Sequence, residues 1–487
     1  MRSVSRVLAV VLVVSGFPAR AEGAAWRQSG FVVGGYLPGG DPISLIRLND
    51  AGVGFVVTSD SPSPAKAREI AARLDSLRLN RPSFRMRAFI YVETDRASTL
   101  FKNPDPVANR TAILDGLAAP NGLNNPAVAG WYIWDEPPIY YPPGRKPSSD
   151  RVFASIHDMT NLLRDSTNGA GTSGQLALTN LLSIQNVDWF LPLCSPDTST
   201  AYGCYLDQYL SRFDADALPA PVICFDKYPF EWPGADFRLS FAQLALIRDK
   251  AGQYSRPGYR IPFWSVIQAS PRQDNARAPY RPTPTFNQIR WQVYVSIAYG
   301  AKGIMYWTLR PAHGPPAVPG YGASFLRRDG STNGALYDSL AALNAELKVL
   351  GPTLMTLDPT GVFHAAANRF VLPARDDSLA RAGSPSQLVA RLEGRTSQGM
   401  AGSFRGSAPT EGYVMVANKD TVIAQSFRVT LRQPAATVEH ISKRDGRRIA
   451  VATASPTAFD TGIIAPGGGE LFRIVPRQAA GGVSGRP

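Results

Sequence analysis

The chain has 487 residues and a formal net charge of +13, with its 51 lysines and arginines scattered along the sequence. A nucleic-acid-binding protein concentrates positive charge in a patch or stripe, so this distribution argues against a nucleic-acid partner. The length exceeds that of one ordinary domain and predicts two. The four histidines are not paired at metal-ligand spacing, which argues against a zinc enzyme or a Ser-His-Asp hydrolase.

Residues 1–21 have the features of a secretory signal peptide: a basic start, a short apolar core and the small-residue cleavage site Ala19-Arg20-Ala21. We therefore expect the mature chain to begin near Glu22 and the protein to be secreted or periplasmic. The apolar core is too short to cross a membrane, which takes about 20 apolar residues. No other stretch of the sequence is as apolar over that length, so no transmembrane segment is predicted.

Three cysteines in an exported chain allow one disulfide bond and one free thiol. Cys194 and Cys204 lie in one stretch rich in Pro, Gly, Ser and Thr, where a crosslink would hold irregular backbone. We predict a disulfide bond between them. Cys224 lies in an apolar run with no histidine nearby to activate it, and we predict a buried, unreactive thiol.

Strand-like runs alternate with amphipathic, helix-like runs over the first two thirds of the chain, and Ser, Asp or Thr residues are placed to cap the helices. The predicted strands are 31–38, 52–60, 84–94, 128–137, 175–182, 220–230, 260–270 and 301–311. This alternation is typical of a parallel sheet with crossover helices. Eight such repeats predict a TIM (β/α)8 barrel over residues 26–354.

The pattern changes after the barrel. Short alternating runs are separated by Gly, Asp, Asn and Pro turns about every ten residues, which is the spacing of a β-sandwich. We therefore predict a β-sandwich domain over residues 355–477. The small and polar residues 478–487 predict a disordered tail.

The run Gly130 to Pro137 reads as a buried strand that ends in two adjacent carboxylates and then in a proline. In a barrel the catalytic groups lie at the carboxyl ends of the strands, so the last residues of every predicted strand form the candidate site. They are Tyr36, Asp60, Glu93, Asp95, Asp135, Glu136, Asn180, Asp226, Tyr228, Gln268, Tyr306, Trp307 and Arg310. Aromatic rings with hydrogen-bonding edges suit sugars, and with Trp264 added this composition predicts a carbohydrate subsite.

Cleaving a glycosidic bond takes one protonated carboxyl group, which delivers a proton to the leaving oxygen. We assign Glu136 as this acid. Its pKa would be raised by the apolar side chain of Trp134 and by the like charge of Asp135, which would also contact a ring hydroxyl. The alternative is that the two acids cap the next helix or pair with an arginine.

The reaction also takes one ionised carboxylate, as nucleophile or to activate water. Asp226 is our candidate, because it ends strand six in an aromatic setting like that of Glu136. Its alternative role is a salt bridge to Lys227 or an arginine. Glu93 and Glu231 are the substitutes for this second carboxylate.

Three stretches resemble secreted barrel glycoside hydrolases related to the retaining β-glycosidase clan, which includes the β-galactosidases. They are GWYIWDEP at 130–137, FDKYPF at 225–230 and RWQVYVSIAYGAKGIMYWTL at 290–309. In that clan an Asn-Glu pair ends strand four and its Glu is the acid/base, so the resemblance implies that role for Glu136. The later stretches YVMVANKD and GGGELFRI resemble the all-β domain that often follows such barrels.

The sequence departs from the clan at the end of strand seven, where the clan has its nucleophilic Glu and this chain has Gln268. An amide cannot attack as a carboxylate does. Three explanations remain open: Asp226 acts instead, as nucleophile or as the base of an inverting reaction; an N-acetyl group of the substrate acts, oriented by Asp135 or Asp226 as in chitinase-like barrels; or the chain is a non-catalytic glycan-binding envelope protein. No motif implies a metal or an organic cofactor.

Overall fold

The computed structural model describes most of the chain. The described residues are 26–58, 64–91, 125–137, 149–167, 175–185, 198–215, 220–230, 237–273, 282–311, 320–365, 388–396, 398–408 and 410–477. The predicted signal peptide 1–21 and tail 478–487 lie outside this part of the chain. So do the predicted mature start, Glu22, and the residues Asp60, Glu93, Asp95, Cys194 and Glu231.

Eight of the described strands form a closed barrel in which neighbouring strands are parallel. They are β1 (Val32–Tyr36), β2 (Phe55–Val57), β3 (Arg87–Tyr91), β4 (Val128–Asp135), β5 (Leu176–Leu181), β6 (Ile223–Asp226), β7 (Phe263–Gln268) and β9 (Gly303–Trp307). Two further strands, β8 (Arg272–Gln273) and β10 (Gly320–Tyr321), pair with each other. Each barrel strand lies within one of the eight predicted runs.

The described helices lie between the strands or follow the last of them. They are α1 (Pro42–Asp50), α2 (Pro64–Asn80), α3 (Ser149–Thr167), α4 (Thr198–Ala215), α5 (Phe237–Gln253), α6 (Phe286–Tyr299) and α7 (Ala335–Met355). The start of α6 is a capping box: Thr285 accepts from the Gln288 N–H, and the Gln288 side chain accepts from the Thr285 N–H. The helix ends at Gly300, whose φ of 107° is left-handed.

The barrel strands are covered on both faces, because successive side chains point alternately into the lumen and out towards the helices. Phe89, Trp264 and Met305 belong to the cluster that fills the lumen. Ile133 and Tyr306 belong to the larger cluster between strands and helices. The lumen is thus a packed core, and ligands have access only at its ends.

Two antiparallel sheets follow the barrel. The strands are β11 (Asp358–His364), β12 (Val389–Gly394), β13 (Gly399–Arg405), β14 (Gly412–Asn418), β15 (Gln425–Leu431), β16 (Ala435–Ile441), β17 (Arg448–Ala450), β18 (Thr453–Ser455), β19 (Ala458–Ile464) and β20 (Gly469–Pro476). One sheet has the order β11-β13-β14-β20-β16-β17 and the other β12-β15-β19-β18. Their shared core includes Val414, Phe427 and Phe459. The predicted fold class, a (β/α)8 barrel followed by an all-β part, is confirmed.

The six-stranded sheet packs its second face on α6 of the barrel. Every residue of β14 is buried, because Val414 faces the sandwich core and Met415 faces the barrel cluster. The Asn287 side chain donates to the Thr421 carbonyl at 3.0 Å.

No helix in the described part of the chain is long and apolar enough to span a membrane.

Candidate active site

A bulge in β4 decides which side chains face the mouth at the carboxyl ends of the barrel strands. Tyr132 pairs with Leu178 of β5 and Trp134 pairs with the next residue, Thr179, so Ile133 is the extra residue. Ile133 and Trp134 both lie in the outer cluster, whereas Tyr132 lies in the lumen. A bulge re-aims the residues beyond it. Here it leaves the Trp134 side chain on the helix side of the barrel, away from the mouth.

Asp135 is held by two hydrogen bonds at the mouth. The Tyr132 hydroxyl donates to Asp135 Oδ1 at 2.6 Å, and the Asn180 amide donates to the same oxygen at 3.2 Å. Burial raises the pKa of Tyr132 well above its usual value, and Asp135 raises it further. The tyrosine therefore keeps its proton and donates it, which favours the ionised form of Asp135.

Glu136 follows directly and leaves the strand geometry. Its φ is +46°, in the left-handed region that a side chain rarely adopts, and its N–H donates to the Asn180 carbonyl at 2.8 Å. The carbonyl of Pro137 then accepts from the buried Tyr205 hydroxyl of α4 at 3.1 Å. The backbone on both sides of Glu136 is thereby fixed, and its half-buried side chain is directed by the turn rather than by the strand.

Asp226 ends β6 on the other side of Asn180. Asn180 pairs with Asp135 in one direction and with Cys224 in the other, and Asp226 is two residues beyond Cys224. Neighbouring strands are about 4.8 Å apart, so β4 and β6 run roughly 10 Å apart across β5. Asp226 is only 5% exposed. The carboxylates of β4 and β6 therefore flank one central asparagine.

The electrostatics also link the acids of these two strands. Burial raises the pKa of Tyr36, and interactions with Cys224, Asp135 and Asp226 raise it further. The pKa of the Tyr205 hydroxyl is also raised, although a hydrogen bond from the Leu182 N–H opposes the shift. Burial raises the pKa of that hydroxyl first, and Tyr202, Glu136 and Asp226 add to the effect. Each of these two buried tyrosines thus responds to a carboxylate of β4 and to Asp226 of β6.

Aromatic rings surround this group of acids. Tyr36 lies against Tyr132, with ring centroids 5.6 Å apart, and against Trp307, at 5.0 Å. Tyr91 lies 5.5 Å from Tyr132, and Tyr228 is a half-buried member of the lumen cluster. The site residues that sequence reasoning missed are Tyr91 and Tyr132. The last residue of β3 would have identified Tyr91, but no sequence signal marks the bulge that brings Tyr132 to Asp135.

Gln268 ends β7 and is built into the structure. Its N–H donates to Gln292 Oε1 at 2.9 Å, and its carbonyl accepts from Gln292 Nε2 at 3.0 Å. The Gln268 side-chain amide donates to the Pro282 carbonyl at 3.3 Å. Within the described residues, the buried Gln268 Oε1 has no hydrogen-bond partner. The end of β7 therefore provides an amide and not an acid.

The structure does not bring two of the predicted subsite residues to the mouth. Trp264 is near the amino end of β7, 1% exposed, and its Nε1 donates to Gln28 Oε1 at 2.9 Å. Tyr306 is fully buried in the helix layer, where its hydroxyl donates to Asn344 Oδ1 at 2.7 Å. Trp307 faces the lumen, so its neighbour Tyr306 has to face outward. Composition predicted that both aromatic residues would line the site. Composition does not show how deep in the barrel a residue lies or which face of its strand it is on.

The remaining predicted residues have structural surroundings. Arg310 Nη1 forms an ion pair with Asp41 Oδ2 at 2.8 Å. Cys204 on α4 is disulfide-bonded, and Cys224 is a free, buried thiol whose pKa is raised by burial. That protonated thiol matches the predicted unreactive cysteine. Within the described residues, no group of three or more His, Cys, Asp or Glu side chains is arranged to hold a metal ion.

Comparison with known proteins gives a likeness of fold. No protein-family model matches the chain, and no curated protein matches its sequence. A catalytic mutant of a GH42 β-galactosidase from G. stearothermophilus is 10% identical, with a TM-score of 0.50 over 92% of this chain and 99% of that chain. A β-galactosidase from Bacillus circulans sp. alkalophilus is 11% identical, with a TM-score of 0.49 over 92% and 99% of the two chains.

A third solved structure is a family 51 α-L-arabinofuranosidase from Bifidobacterium longum. It is 10% identical, with a TM-score of 0.42 over 93% of this chain and 98% of that chain. At these identities, the likeness to the GH42 β-galactosidase is one of fold.

Proposed function

We propose that this chain is a secreted glycoside hydrolase that cleaves O-glycosidic bonds with Glu136 as its general acid. One observation carries the proposal: the acids at the carboxyl ends of β4 and β6 flank Asn180. In line with this arrangement, acids of both strands raise the pKa of the buried Tyr36 and of the buried Tyr205. This end of the barrel is where enzymes of the fold keep their chemistry. Secretion rests on the signal peptide predicted at 1–21.

Glu136 and Asp135 have different parts in this mechanism. Asp135 accepts two hydrogen bonds, which favour its ionised form over that of a proton donor. Glu136 follows at a left-handed turn, which aims its side chain independently of the strand. Glu136 protonates the leaving oxygen, while Asp135 binds a sugar hydroxyl at the same end of β4.

Asp226 is the second carboxylate of the proposal. In the clan that this sequence resembles, the end of strand seven holds the nucleophile, but here β7 ends in Gln268, an amide. The second carboxylate therefore has to come from another strand. Asp226 lies across Asn180 from Asp135. A separation of about 5–5.5 Å between the Glu136 and Asp226 carboxyl groups would make the enzyme retaining, and about 6.5–9.5 Å would make it inverting.

The substrate is a carbohydrate because the mouth offers flat aromatic faces beside acids. The half-buried Trp307 and Tyr228 provide apolar faces for the C–H side of a sugar ring, and Asn180 and Asp135 provide hydrogen bonds for its hydroxyls. The amide of Gln268 also favours a second candidate function, a non-catalytic glycan-binding protein on the same barrel.

Kinetics of acid variants test the proposal. Wild-type protein is screened on aryl glycosides and on polysaccharides, and Glu136→Gln and Asp226→Asn are compared with it for kcat and for glycan affinity. Removing a general acid or its partner lowers kcat by about 10²–10⁴-fold, while glycan binding is retained. The control is Glu393→Gln, an exposed Glu on β12 paired with Arg391, which leaves kcat unchanged.

The two candidate functions predict different results in this experiment. Turnover by wild type that is lost in Glu136→Gln supports the hydrolase. Glycan binding without turnover in the wild type, on every substrate tested, supports the non-catalytic protein and rejects the hydrolase.

A further inference from the structure

A cavity of about 220 Å³ lies at the end of the barrel opposite to the candidate active site. It is bordered by Phe263 at the start of β7 and by Lys302 directly before β9. Arg27 precedes β1, Arg248 comes from α5, and Asp358 begins β11. The cavity is therefore formed where the start of the barrel, a barrel helix and the start of the C-terminal sheet meet.

The charge of the lining is strongly positive. Among the residues that border the cavity, Arg27, Arg248, Arg260 and Lys302 are cationic and Asp358 is acidic. Arg260 Nε pairs with Asp358 Oδ1 at 2.7 Å, which uses the one lining carboxylate. Arg27, Arg248 and Lys302 also border this space; Arg248 pairs with Asp249, and burial lowers the pKa of Lys302 to about 7. An anion bound between the arginines would offset the repulsion among their like charges.

Arg248 is a buried arginine that borders the cavity. It is 7% exposed, its Nε donates to Asp249 Oδ1 at 2.8 Å, and its Nη2 lies 2.7 Å from the same oxygen. Its Nη1 is buried and has no hydrogen-bond partner within the described residues. Leaving a charged donor unsatisfied in the interior is costly, and folded proteins provide such a group with an acceptor. Arg248 borders the cavity, so a ligand bound there would supply that acceptor.

The other cations are held in place by their own contacts. Arg27 Nη1 donates to the Gly258 carbonyl at 2.9 Å, and its guanidinium lies 5.5 Å from the ring centroid of Tyr259. The Lys302 ammonium donates to the Leu357 carbonyl at 2.6 Å. A guanidinium has five N–H groups, so Arg27 keeps N–H donors beyond the one that binds the Gly258 carbonyl. The donors are fixed before any ligand arrives, which lowers the entropy cost of binding.

We propose that this cavity binds a small oxyanion, a phosphate or sulfate group, between Arg248, Arg27 and Arg260. Arginine forks match the oxygen geometry of phosphate and sulfate better than that of halide ions. Sites for drug-sized ligands are typically about 300–1,000 Å³, so the smaller cavity fits an inorganic anion or one anionic group of a small molecule. The bound anion links the residues before β1, helix α5 and the start of the C-terminal sheet.

Binding to the intact protein tests this site without reference to glycoside turnover. Titration calorimetry and thermal unfolding are measured with inorganic phosphate, sulfate and glycerol 2-phosphate, against sodium chloride at equal ionic strength. A ligand of the folded state raises the unfolding midpoint as its concentration rises. We expect saturable binding of one anion per chain, with a rising midpoint for phosphate or sulfate but not for chloride.

The variants locate the site. Arg248→Met weakens phosphate affinity at least tenfold, and Arg27→Gln, at an exposed residue whose change is compatible with folding, weakens it in the same direction. Arg256→Met is the matched control, because Arg256 follows the same helix but pairs with Asp214 at 2.8 Å outside the cavity.

Each result has a defined meaning. Tighter binding of inorganic phosphate than of glycerol 2-phosphate assigns the free anion, the reverse assigns a phosphate monoester, and either supports the site. Equal stabilisation by chloride, no saturable binding, or unchanged affinity in both Arg27→Gln and Arg248→Met overturns it.

Discussion

Asp135 and Glu136 are adjacent in sequence, but the structure gives them different surroundings. Asp135 ends a strand and accepts hydrogen bonds from Tyr132 and Asn180. Glu136 has a left-handed backbone and lies outside the strand ladder. Two adjacent acids with separate environments can take separate roles, one ionised and one proton-donating. At the residue scale, the proposed chemistry depends on this difference.

Tyr132→Phe tests the hydrogen bond that defines Asp135. Losing a bond to a charged group costs about 1.5–3 kcal/mol, so we expect kcat/KM to fall by roughly ten- to a hundredfold. The acid limb of the pH profile should also shift to higher pH, because the ionised form of Asp135 loses a donor. Tyr209→Phe is the control, since that buried hydroxyl donates to the Val222 carbonyl away from the acids. Equal pH profiles for Tyr132→Phe and wild type would contradict this role.

At the scale of elements, the barrel could be predicted because every strand is a compact apolar run between helix signals. Each observed strand lies inside its predicted run, and 84–94 contains the observed Arg87–Tyr91. The candidate site was predicted only in part. In a regular strand, the Asp135 side chain would lie on the same face as that of Ile133. The bulge at Ile133 places it on the same face as Tyr132 instead. A bulge depends on the neighbouring strand, so local sequence does not reveal it.

The contact between α6 and the six-stranded sheet gives a prediction at this scale. A Cβ at Gly402 would lie 2.0 Å from the Ala298 carbonyl oxygen, which is backbone and cannot move aside as a side chain would. Gly402→Ala should destabilise the protein by about 1–3 kcal/mol or separate the sheet from the barrel. Thermal unfolding measures this change.

Gly203→Ala is the matched control for that substitution. Gly203 lies within α4, and the nearest atom to its added Cβ is Lys250 Cε at 3.9 Å. Replacing a helical glycine with alanine removes an entropy cost, so this variant should gain roughly 0.5–1 kcal/mol. A Gly402→Ala protein as stable as the wild type would show that the sheet and α6 are not in close contact.

At the scale of the whole molecule, a buried lysine joins the barrel to the C-terminal part. Lys302 is 7% exposed and donates to the carbonyl of Leu354, in the last turn of α7, and to that of Leu357, just after the helix. Burial lowers the pKa of Lys302 from 10.5 to about 7, while Asp358 opposes the shift. Between pH 7 and 10 the unfolded chain therefore binds more protons than the folded one at this residue. Stability should rise with pH in that window.

The pH dependence of unfolding measures this effect. In buffers without phosphate or sulfate, the wild type should gain stability from pH 7 to pH 10, by up to roughly 4 kcal/mol from Lys302 alone. Lys302→Met should flatten the rise, and the exposed Lys348→Met should keep it. A second buried lysine, Lys419, has its pKa lowered by burial to about 8 and should account for a residual slope in Lys302→Met. An identical rise in wild type and Lys302→Met would contradict the assignment.

The most direct test of the central claim is a crystal structure of Glu136→Gln with a bound oligosaccharide. We predict that the glycosidic oxygen lies within hydrogen-bond distance of the side chain at position 136. The Asp226 carboxylate should lie beside the same anomeric carbon, less than about 10 Å from that side chain. A sugar bound away from the carboxyl ends of β4 and β6, or an Asp226 carboxylate directed away from it, would contradict the two-carboxylate hydrolase.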